Sequence, residues 1–229
     1  MNTGGSQAPR RRRLSRRVRE SLLLEAALAQ FVECGFAGSR MEDIATRAGV
    51  AKGTPYVYFS SKDALLRNVI TQFLCAEIDR LERDLQDHLR TRSAADVIRR
   101  DLAGWWARVA DGPASAVFKL IVSDIPARSA LAAFCAAEVI GRLELLTGNV
   151  LQAGVSRKQL LPLDMATIVG ALNLPLLMLC VHRHSIETMS AGSLHVDARE
   201  FTENHIRRIL RDVEVSDGPA CEGHPLSSQ

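Results

Sequence analysis

A short segment near the N-terminus combines side chains that suit contacts with a phosphate backbone and with base edges. A cation, a glycine and a hydroxyl follow one another there, and two tyrosines and a second cation come after them: Lys52, Gly53, Thr54, Tyr56, Tyr58 and Lys62. Glycine lets a main chain approach a nucleic acid closely, lysine can bond a guanine edge or a phosphate, and threonine can reach a phosphate or a thymine methyl group. The pattern indicates nucleic-acid binding.

The charges of the chain are unevenly distributed. Residues 10–67 hold twelve Arg or Lys against six Asp or Glu, whereas residues 68–229 hold 17 against 20. A basic N-terminal segment followed by a mildly acidic remainder indicates that the N-terminal segment binds a polyanion. Basic surfaces are common, so the charge alone is weak support for such a partner.

The most basic segment is an arginine tract that runs into the start of the first expected helix. It consists of Arg10, Arg11, Arg12, Arg13, Arg16, Arg17 and Arg19. Charge runs of this kind are mobile in isolation, so we expect residues 1–16 to form a disordered basic arm. The arm can enter a minor groove, add phosphate contacts or remain a solvated tail, and the sequence leaves these alternatives open.

Apolar side chains at helical spacing predict a first helix from about residue 17 to residue 34, which Gly35 ends. Ser39 and Glu42 have the S-x-x-E spacing of a capping box, in which hydroxyl and carboxylate satisfy free amides at the start of a second helix. We expect Gly49 to adopt a left-handed conformation where the chain reverses.

A third short helix is expected at residues 52–59, after a connection of three or four residues, and this spacing is typical of a helix-turn-helix. Ser60 or Ser61 can cap a long fourth helix that extends to about Leu89 and links two domains. Strand signals are scarce and aromatic residues make up only 5% of the chain, so the predicted fold class is all-α. Further helices are expected near residues 94–110, 114–124, 128–153, 163–185 and 197–213, with a disordered tail over 216–229.

The segment from Gly35 to Leu66 closely resembles, without a gap, the DNA-binding domain of the tetracycline-repressor (TetR) family. The resemblance implies a three-helix helix-turn-helix domain at residues 17–66 and a larger helical ligand-binding and dimerisation domain at residues 67–215. In this family pattern, Val57 faces the groove and contributes apolar readout. The implied DNA contacts are Arg40, Lys52, Gly53, Thr54, Tyr56, Val57, Tyr58 and Lys62, of which Tyr56, Tyr58 and Lys62 grip the sugar-phosphate backbone.

Two positions depart from the usual family pattern. Ala51 stands where a capping Ser is common, and Pro55 replaces a common Leu or Ile. Because proline costs least at the first helical position, we expect Thr54 to cap the recognition helix and Pro55 to be its first residue. This shift of the helix start affects the contacts of residues 52–54.

The resemblance also implies a homodimer that reads a pseudo-palindromic operator in double-stranded DNA. We expect a repressor that a small-molecule effector releases, with an activator using the same domain as the alternative. An apolar or aromatic effector is expected in a cavity lined by some of Trp105, Trp106, Phe118, Phe134 and Met178, with Leu145 and Met165 as further candidates. The last two helices are expected to form the dimer seam, or to pack within one chain, through Leu172, Leu176, Leu179, Ile206 and Leu210.

Other classes of protein fit the sequence less well. The chain has no G-x-S-x-G, Walker loop, dinucleotide fingerprint or H-E-x-x-H, so we expect no enzyme and no cofactor. Cys180 and His184 lie four residues apart on one predicted helix, but two ligands do not make a metal site, and ordinary packing or a dimer-edge role is expected. A nonspecific architectural nucleic-acid binder remains the rival interpretation.

The expected location is the cytoplasm. The five cysteines show neither C-x-x-C pairing nor the density of a disulfide scaffold, which favours a reducing compartment. The most apolar run, residues 171–181, contains Asn173 and Pro175 and is shorter than the roughly 20 residues that a bilayer-spanning helix needs. We therefore expect no membrane segment.

Overall fold

A computed structural model describes residues 15–125, 129–162, 164–189 and 195–215. The predicted basic arm, except for its last two residues, and the predicted tail from residue 216 lie outside these ranges. The described residues form nine helices and no strand longer than an isolated bridge, so the expected all-α fold is confirmed.

The first four helices follow the predicted order. They are α1 (Arg16–Gly38), α2 (Met41–Arg47), α3 (Thr54–Tyr58) and the long α4, built from Lys62–Ile70, a π-helical turn at Thr71–Cys75, and Ala76–Leu89. As predicted, Ser61 caps α4, since its hydroxyl accepts a 3.0 Å bond from the Ala64 amide. The α4 helix continues from the N-terminal helices into the body of the protein.

Five further helices form the body. α5 consists of Ala94–Val97, a π turn at Ile98–Leu102, and Ala103–Asp111. α6 is Pro113–Ser123, and α7 consists of Ala130–Cys135, a π turn at Ala136–Gly141, and Arg142–Ser156. α8 is Met165–Met189 and α9 is Ala198–Val213. Each helix lies within a few residues of its predicted position.

Gly35 interrupts α1 as the sequence predicts. Its φ of 70° and ψ of 164° fall in a region that is nearly restricted to glycine, and the chain makes one more turn before α2. The predicted capping box at Ser39 is wrong. The buried Ser39 hydroxyl donates to the Gly35 carbonyl (2.7 Å), with the Gln30 carbonyl at 3.2 Å as a longer acceptor, because it faces carbonyl oxygens of α1 rather than the amides of α2.

The turn between α2 and α3 also departs in part from the prediction. Gly49 has the expected positive φ of 66°. However, α3 begins at Thr54 with Gly53 as its cap, so Pro55 is the second helical residue rather than the first. Proline fits there because the amide it lacks has no partner in the first turn of a helix. Lys52 therefore lies in the turn and not on the helix.

The predicted dimer seam is wrong in its residues. Leu172, Leu176, Leu179, Ile206 and Leu210 are all buried within the single chain, where α8 packs against α6, α7 and α9. Because these side chains occupy the inward stripe of their helices, they cannot meet a second copy. Among the described side chains of α8 and α9, the large apolar ones that remain exposed are Leu174, Met178 and Phe201.

Two helices are long and apolar enough to cross a bilayer by length and composition, Arg16–Gly38 and Met165–Ser185. Both pack against other helices, since α1 lies on α4 and α8 lies on α6. Within α8, the Asn173 amide donates to the carbonyl of Val169 and to the hydroxyl of Thr147. These contacts are typical of core helices, and the absence of a membrane segment stays a prediction.

We expect Gly35→Ala to lower the free energy of unfolding by about 1–3 kcal/mol, because a Cβ is strained at this backbone geometry and would lie 3.3 Å from the Asp124 carboxylate. Urea unfolding followed by circular dichroism measures the loss. The matched control is Gly53→Ala, which has an ordinary φ and open space around it, and which should change stability by less than about 0.5 kcal/mol. Equal stability of the two variants would contradict the assignment of strain to Gly35.

Candidate nucleic-acid interface

The α3 helix presents its predicted contact residues to solvent. Val57 is 75% exposed and Tyr56 is 52% exposed, whereas Pro55 and Phe59 are buried and hold the helix against the domain. Lys52 and Gly53 are exposed in the preceding turn, and Thr54 is half-buried. A five-residue helix anchored at both ends thus displays an apolar and an aromatic side chain outward.

A hydrogen bond between α2 and α3 orients Tyr56. The phenol donates to the Glu42 carboxylate at 3.2 Å. Partial desolvation, and then this hydrogen bond, raise the pKa of Tyr56 above its usual value, so the hydroxyl stays protonated at neutral pH. Glu42 therefore contacts α3 rather than capping α2, and it fixes the phenol as a hydrogen-bond donor at the surface.

Lys62 has a positioning role that the sequence did not reveal. Its ammonium donates to three carbonyls at the end of α1, those of Phe36 (2.6 Å), Ser39 (3.0 Å) and Ala37 (3.3 Å), and lies 4.6 Å from the centre of the Phe36 ring. A lysine has only three N–H donors, and these contacts engage them all. Its predicted grip on the sugar-phosphate backbone stays a prediction.

The remaining predicted contacts lie around the same face. Arg40 is exposed at the start of α2, and among the described residues neither Arg40 nor Lys52 has an ion-pair partner. Arg47, by contrast, pairs with Glu33 at 2.5 Å. Half-buried Tyr58 lies under the guanidinium of Arg16, 5.7 Å from its ring centre, so the chain enters α1 beside α3.

A long-range hydrogen bond joins the N-terminal helices to the body, where α1 packs on α6. The amide of Phe36, directly after the break in α1, donates to the Asp124 carboxylate at 2.8 Å. Asp124 follows the last residue of α6 and also accepts a 2.6 Å bond from the Ser123 hydroxyl. The partners lie 88 residues apart in sequence, so no local pattern could have identified the pair.

A cavity of about 420 Å³ lies between α7 and α8. Its inner wall includes the buried residues Trp106, Leu143, Val169 and Asn173, and Glu144, Leu145, Asn149 and Leu174 are exposed around its mouth. A space of this size, with apolar walls and a few polar groups, suits a small molecule.

Of the five leading effector candidates, only Trp106 lines this cavity, together with the further candidates Leu145 and Met165. Trp105 and Phe118 are fully buried core residues, and the indole N–H of Trp105 donates to the Glu77 carbonyl. Phe134 is covered by the Arg67 guanidinium, 4.4 Å from its ring centre, and Met178 is 53% exposed on α8. Periodicity identified apolar positions but could not assign them to core, cavity or surface.

Cys180 and His184 have other roles than a shared metal site in this structure. Burial raises the pKa of the Cys180 thiol to about 12, and the His184 Nε2 atom lies 2.7 Å from the Ser115 hydroxyl. The described ranges contain no group of three or more His, Cys, Asp or Glu side chains that could hold a metal ion.

Comparison of sequences identifies the N-terminal segment. Residues 23–69 match the family model described as bacterial regulatory proteins, tetR family. The fatty acid metabolism regulator protein of Bacillus subtilis is 34% identical over 65 residues, which are 28% of this chain and 34% of that protein. The transcriptional regulator RutR of Escherichia coli is 32% identical over 102 residues, 44% of this chain and 48% of RutR. The chain thus matches between a third and a half of the length of these relatives.

Comparison of structures extends over most of the chain. A TetR-like transcriptional regulator from Rhodococcus sp. RHA1 is 25% identical, covers 87% of this chain and 99% of its own, and superposes with a TM-score of 0.65. The complex of SmeT with triclosan gives a TM-score of 0.70 at 19% identity, covering 92% and 100%. FadR of Bacillus subtilis with stearoyl-CoA gives 0.65 at 18% identity, covering 82% and 96%. The two last likenesses concern the fold alone.

We expect Lys62→Met to lower the free energy of unfolding by about 1–3 kcal/mol without any DNA present, because three carbonyls lose a charged donor while the apolar stem of the side chain is retained. Lys52→Met, at an exposed and unpaired position, should leave stability within about 0.5 kcal/mol of the parent. Thermal and urea unfolding of both variants test this difference. A Lys62→Met protein as stable as the parent would show that the contacts with the carbonyls contribute nothing.

Proposed function

We propose that the chain, whose residues 23–69 match the tetR family of bacterial regulatory proteins and whose fold is similar to that of a TetR-like regulator, is a sequence-specific repressor that a small-molecule effector releases from its operator. In this proposal residues 17–66 form the DNA-binding domain, and residues 67–215 form the effector-binding and dimerisation domain. Catalysis has no part in it, and the cytoplasm is the site of action. The four described cysteines are free thiols, which is compatible with that compartment.

The observation that carries the proposal is the outward display of Val57. An apolar side chain that is 75% exposed, on a helix anchored by buried neighbours, gains stability only when a partner covers it. Cationic Lys52 and Arg40 lie on the same domain without ion-pair partners among the described residues. This arrangement suits a major groove of DNA, because the Val57 side chain can contact a thymine methyl group while Lys52 and Arg40 contact phosphates.

Roles for the other contact residues follow from their placement. The Tyr56 hydroxyl donates to a phosphate of the DNA backbone, either in place of its bond to the Glu42 carboxylate or shared with it. Thr54 contributes a second hydroxyl at the start of α3. Gly53 leaves room for the main chain to approach, since nothing lies within 4 Å of the position of a Cβ there. Lys62 acts chiefly by holding α1 against α4, and Tyr58 by stacking under Arg16.

A second copy of the chain supplies the second DNA-binding domain, which contacts the other half of the operator. Leu174, 63% exposed, and Met178, 53% exposed, lie on α8, and Phe201 is exposed on α9. These side chains replace the predicted seam as the apolar centre of a dimer interface. Two copies of α3 held about 34–36 Å apart would meet successive major-groove faces of a pseudo-palindromic operator.

The effector acts by binding the two conformations of the dimer unequally. The cavity contacts Trp106, whose ring stacks on Phe118 of α6 with centroids 5.6 Å apart. At the end of α6, Asp124 holds the Phe36 amide beside the DNA-binding helices. A ligand that changes the packing of α6 therefore changes the position of α3 relative to the body and lowers the affinity for the operator.

Selection of bound DNA from a random pool tests the DNA-binding proposal. We expect a single symmetric sequence to be enriched, and each mismatched base pair to weaken binding by about 1–3 kcal/mol. Val57→Ser should change the preferred base at one position of each half-site, because it removes apolar contact. Lys52→Met should weaken binding to all sequences. Salt-dependent affinity with no enriched sequence would instead support a nonspecific architectural protein.

Asp124→Ala tests the coupling between cavity and operator. The variant removes the acceptor of the Phe36 amide but no cavity residue, so affinity for a compound that releases the selected operator should stay constant. The ratio of the operator affinity without the compound to that with it should be severalfold smaller in Asp124→Ala than in the parent protein. Asp124→Asn, which keeps an acceptor oxygen, should retain more of the ratio. Unchanged coupling in the alanine variant would exclude this route between the domains.

A further inference from the structure

The indole N–H of Trp106 is a buried donor that lacks an acceptor within the described part of the chain. The residue is 1% exposed and lines the cavity between α7 and α8. The only other tryptophan, Trp105, donates its N–H to the Glu77 carbonyl at 3.0 Å. A buried unpaired donor costs stability, and such groups in native proteins commonly have a functional reason.

The other buried polar group of the cavity wall is already satisfied. The amide of Asn173 donates to the Thr147 hydroxyl at 3.2 Å and to the Val169 carbonyl at 3.1 Å. The neighbouring wall is formed by Leu143, Val169 and Leu177 and is apolar. Inside its polar mouth, the cavity therefore has a mainly apolar wall, and among its described lining residues the Trp106 N–H is the one buried side-chain donor without a partner.

The charges around the cavity disfavour an anion. Glu144, at the mouth, is the one charged side chain among the residues that line this cavity. Cations of the body line a separate hollow of about 670 Å³, formed in part by Arg99, Lys158, Arg207 and Arg211. A carboxylate or a phosphate placed in the cavity would lose its hydration without gaining a counter-charge.

We infer that the cavity, whose part in regulation rests on the proposed function, takes a compact, uncharged and largely apolar molecule whose hydrogen-bond acceptor is met by the Trp106 N–H. A ketone, an ether or a nitrile supplies such an acceptor. Fatty acyl-CoA thioesters, one of which is bound by the FadR protein of similar fold, do not belong to this class because their head group is anionic. The cavity volume of about 420 Å³ accommodates a molecule of two or three rings.

This contact also couples binding to the fold. Because Trp106 is almost completely buried, its N–H meets a ligand only when the ring turns about its side-chain bonds. The ring stacks on Phe118 at an interplanar angle of 26° and meets Trp105 edge-on, with centroids 4.9 Å apart. A turn of the ring therefore displaces Phe118 on α6, the helix that ends beside the Phe36 amide.

The experiment uses benzophenone and diphenylmethane, which share two rings and differ in a carbonyl against a methylene group. In the full-length protein labelled with ¹⁵N at the indole nitrogens, two N–H signals are expected, and Trp105→Phe assigns them. Benzophenone should shift the Trp106 proton downfield and diphenylmethane should not. A benzophenone complex without that shift, or no binding of benzophenone at all, would overturn the inference.

Trp106→Phe supplies a second measurement. The ratio of benzophenone affinity to diphenylmethane affinity should fall about fivefold relative to the parent, as expected for one lost hydrogen bond. Trp105→Phe, a matched loss of an indole that does not line the cavity, should keep the parental ratio. Should Trp106→Phe fail to fold, the signal shift in the parent protein decides alone.

A third arm separates the ligand class from the function. Stearoyl-CoA should not displace benzophenone, and displacement would overturn the assignment of an uncharged ligand. Operator selection and release are measured on the same protein. If the Trp106 signal shifts but no DNA sequence is selected, the ligand inference stands and the regulator proposal is rejected. If an operator is selected but benzophenone does not bind, the regulator proposal stands and the ligand inference is rejected.

Discussion

The backbone of Phe36 connects three helices. Its amide donates to Asp124 at the end of α6, and its carbonyl accepts from Lys62 at the start of α4. Its side chain lies under the Lys62 ammonium and 5.5 Å from the ring of Phe31 in α1. The contacts are available only because Gly35 turns the chain out of the α-helical conformation one residue earlier. This junction therefore links the helix-turn-helix to the body, in addition to the continuous α4 and the packing of α1 on α6.

Much of the fold was predictable because local rules acted without competition. Helical periodicity placed the helices, Gly35 broke α1 and Gly49 reversed the chain after α2 with the positive φ that favours glycine, and Ser61 capped α4. The capping box failed at Ser39 because a tertiary neighbour, the carbonyl end of α1, took the hydroxyl. A sequence motif identifies a possible hydrogen bond, but the nearest unpaired partner in the folded chain decides which bond forms.

The candidate site divides in the same way. The exposed residues of α2, α3 and their connecting turn came from a local string of residue types. The cavity, the Asp124 contact and the role of Lys62 depend on residues far apart in sequence, which periodicity cannot pair. The buried and exposed faces of α8 are only one or two residues apart in sequence. The sequence pattern therefore placed Leu172 and Leu176 at the dimer interface, although Leu174 and Met178 are the exposed residues.

The π turns carry a partial sequence signal. Each lies within a run of buried residues spaced by four: Leu66, Ile70, Leu74 and Ile78 in α4, Ala94, Ile98, Leu102 and Trp106 in α5, and Leu131, Cys135, Val139 and Leu143 in α7. Four residues overshoot a helical turn by about 40°, and a wider turn absorbs that drift. The run Ala198, Thr202, Ile206 and Leu210 in α9 has the same spacing without a π turn, so spacing alone does not predict one.

The junction at Phe36 limits how freely the two halves of such a protein can be recombined. A chimera that joined this N-terminal domain to the body of a relative would retain Gly35 and Lys62 but would lose Asp124 unless the new α6 ended in a carboxylate at the same place. The transplanted segment would then keep its connection through α4 but lack the hydrogen bond between the Phe36 amide and the end of α6. An exchange of the N-terminal segment between related proteins should therefore move the end of the sixth helix together with the first 66 residues.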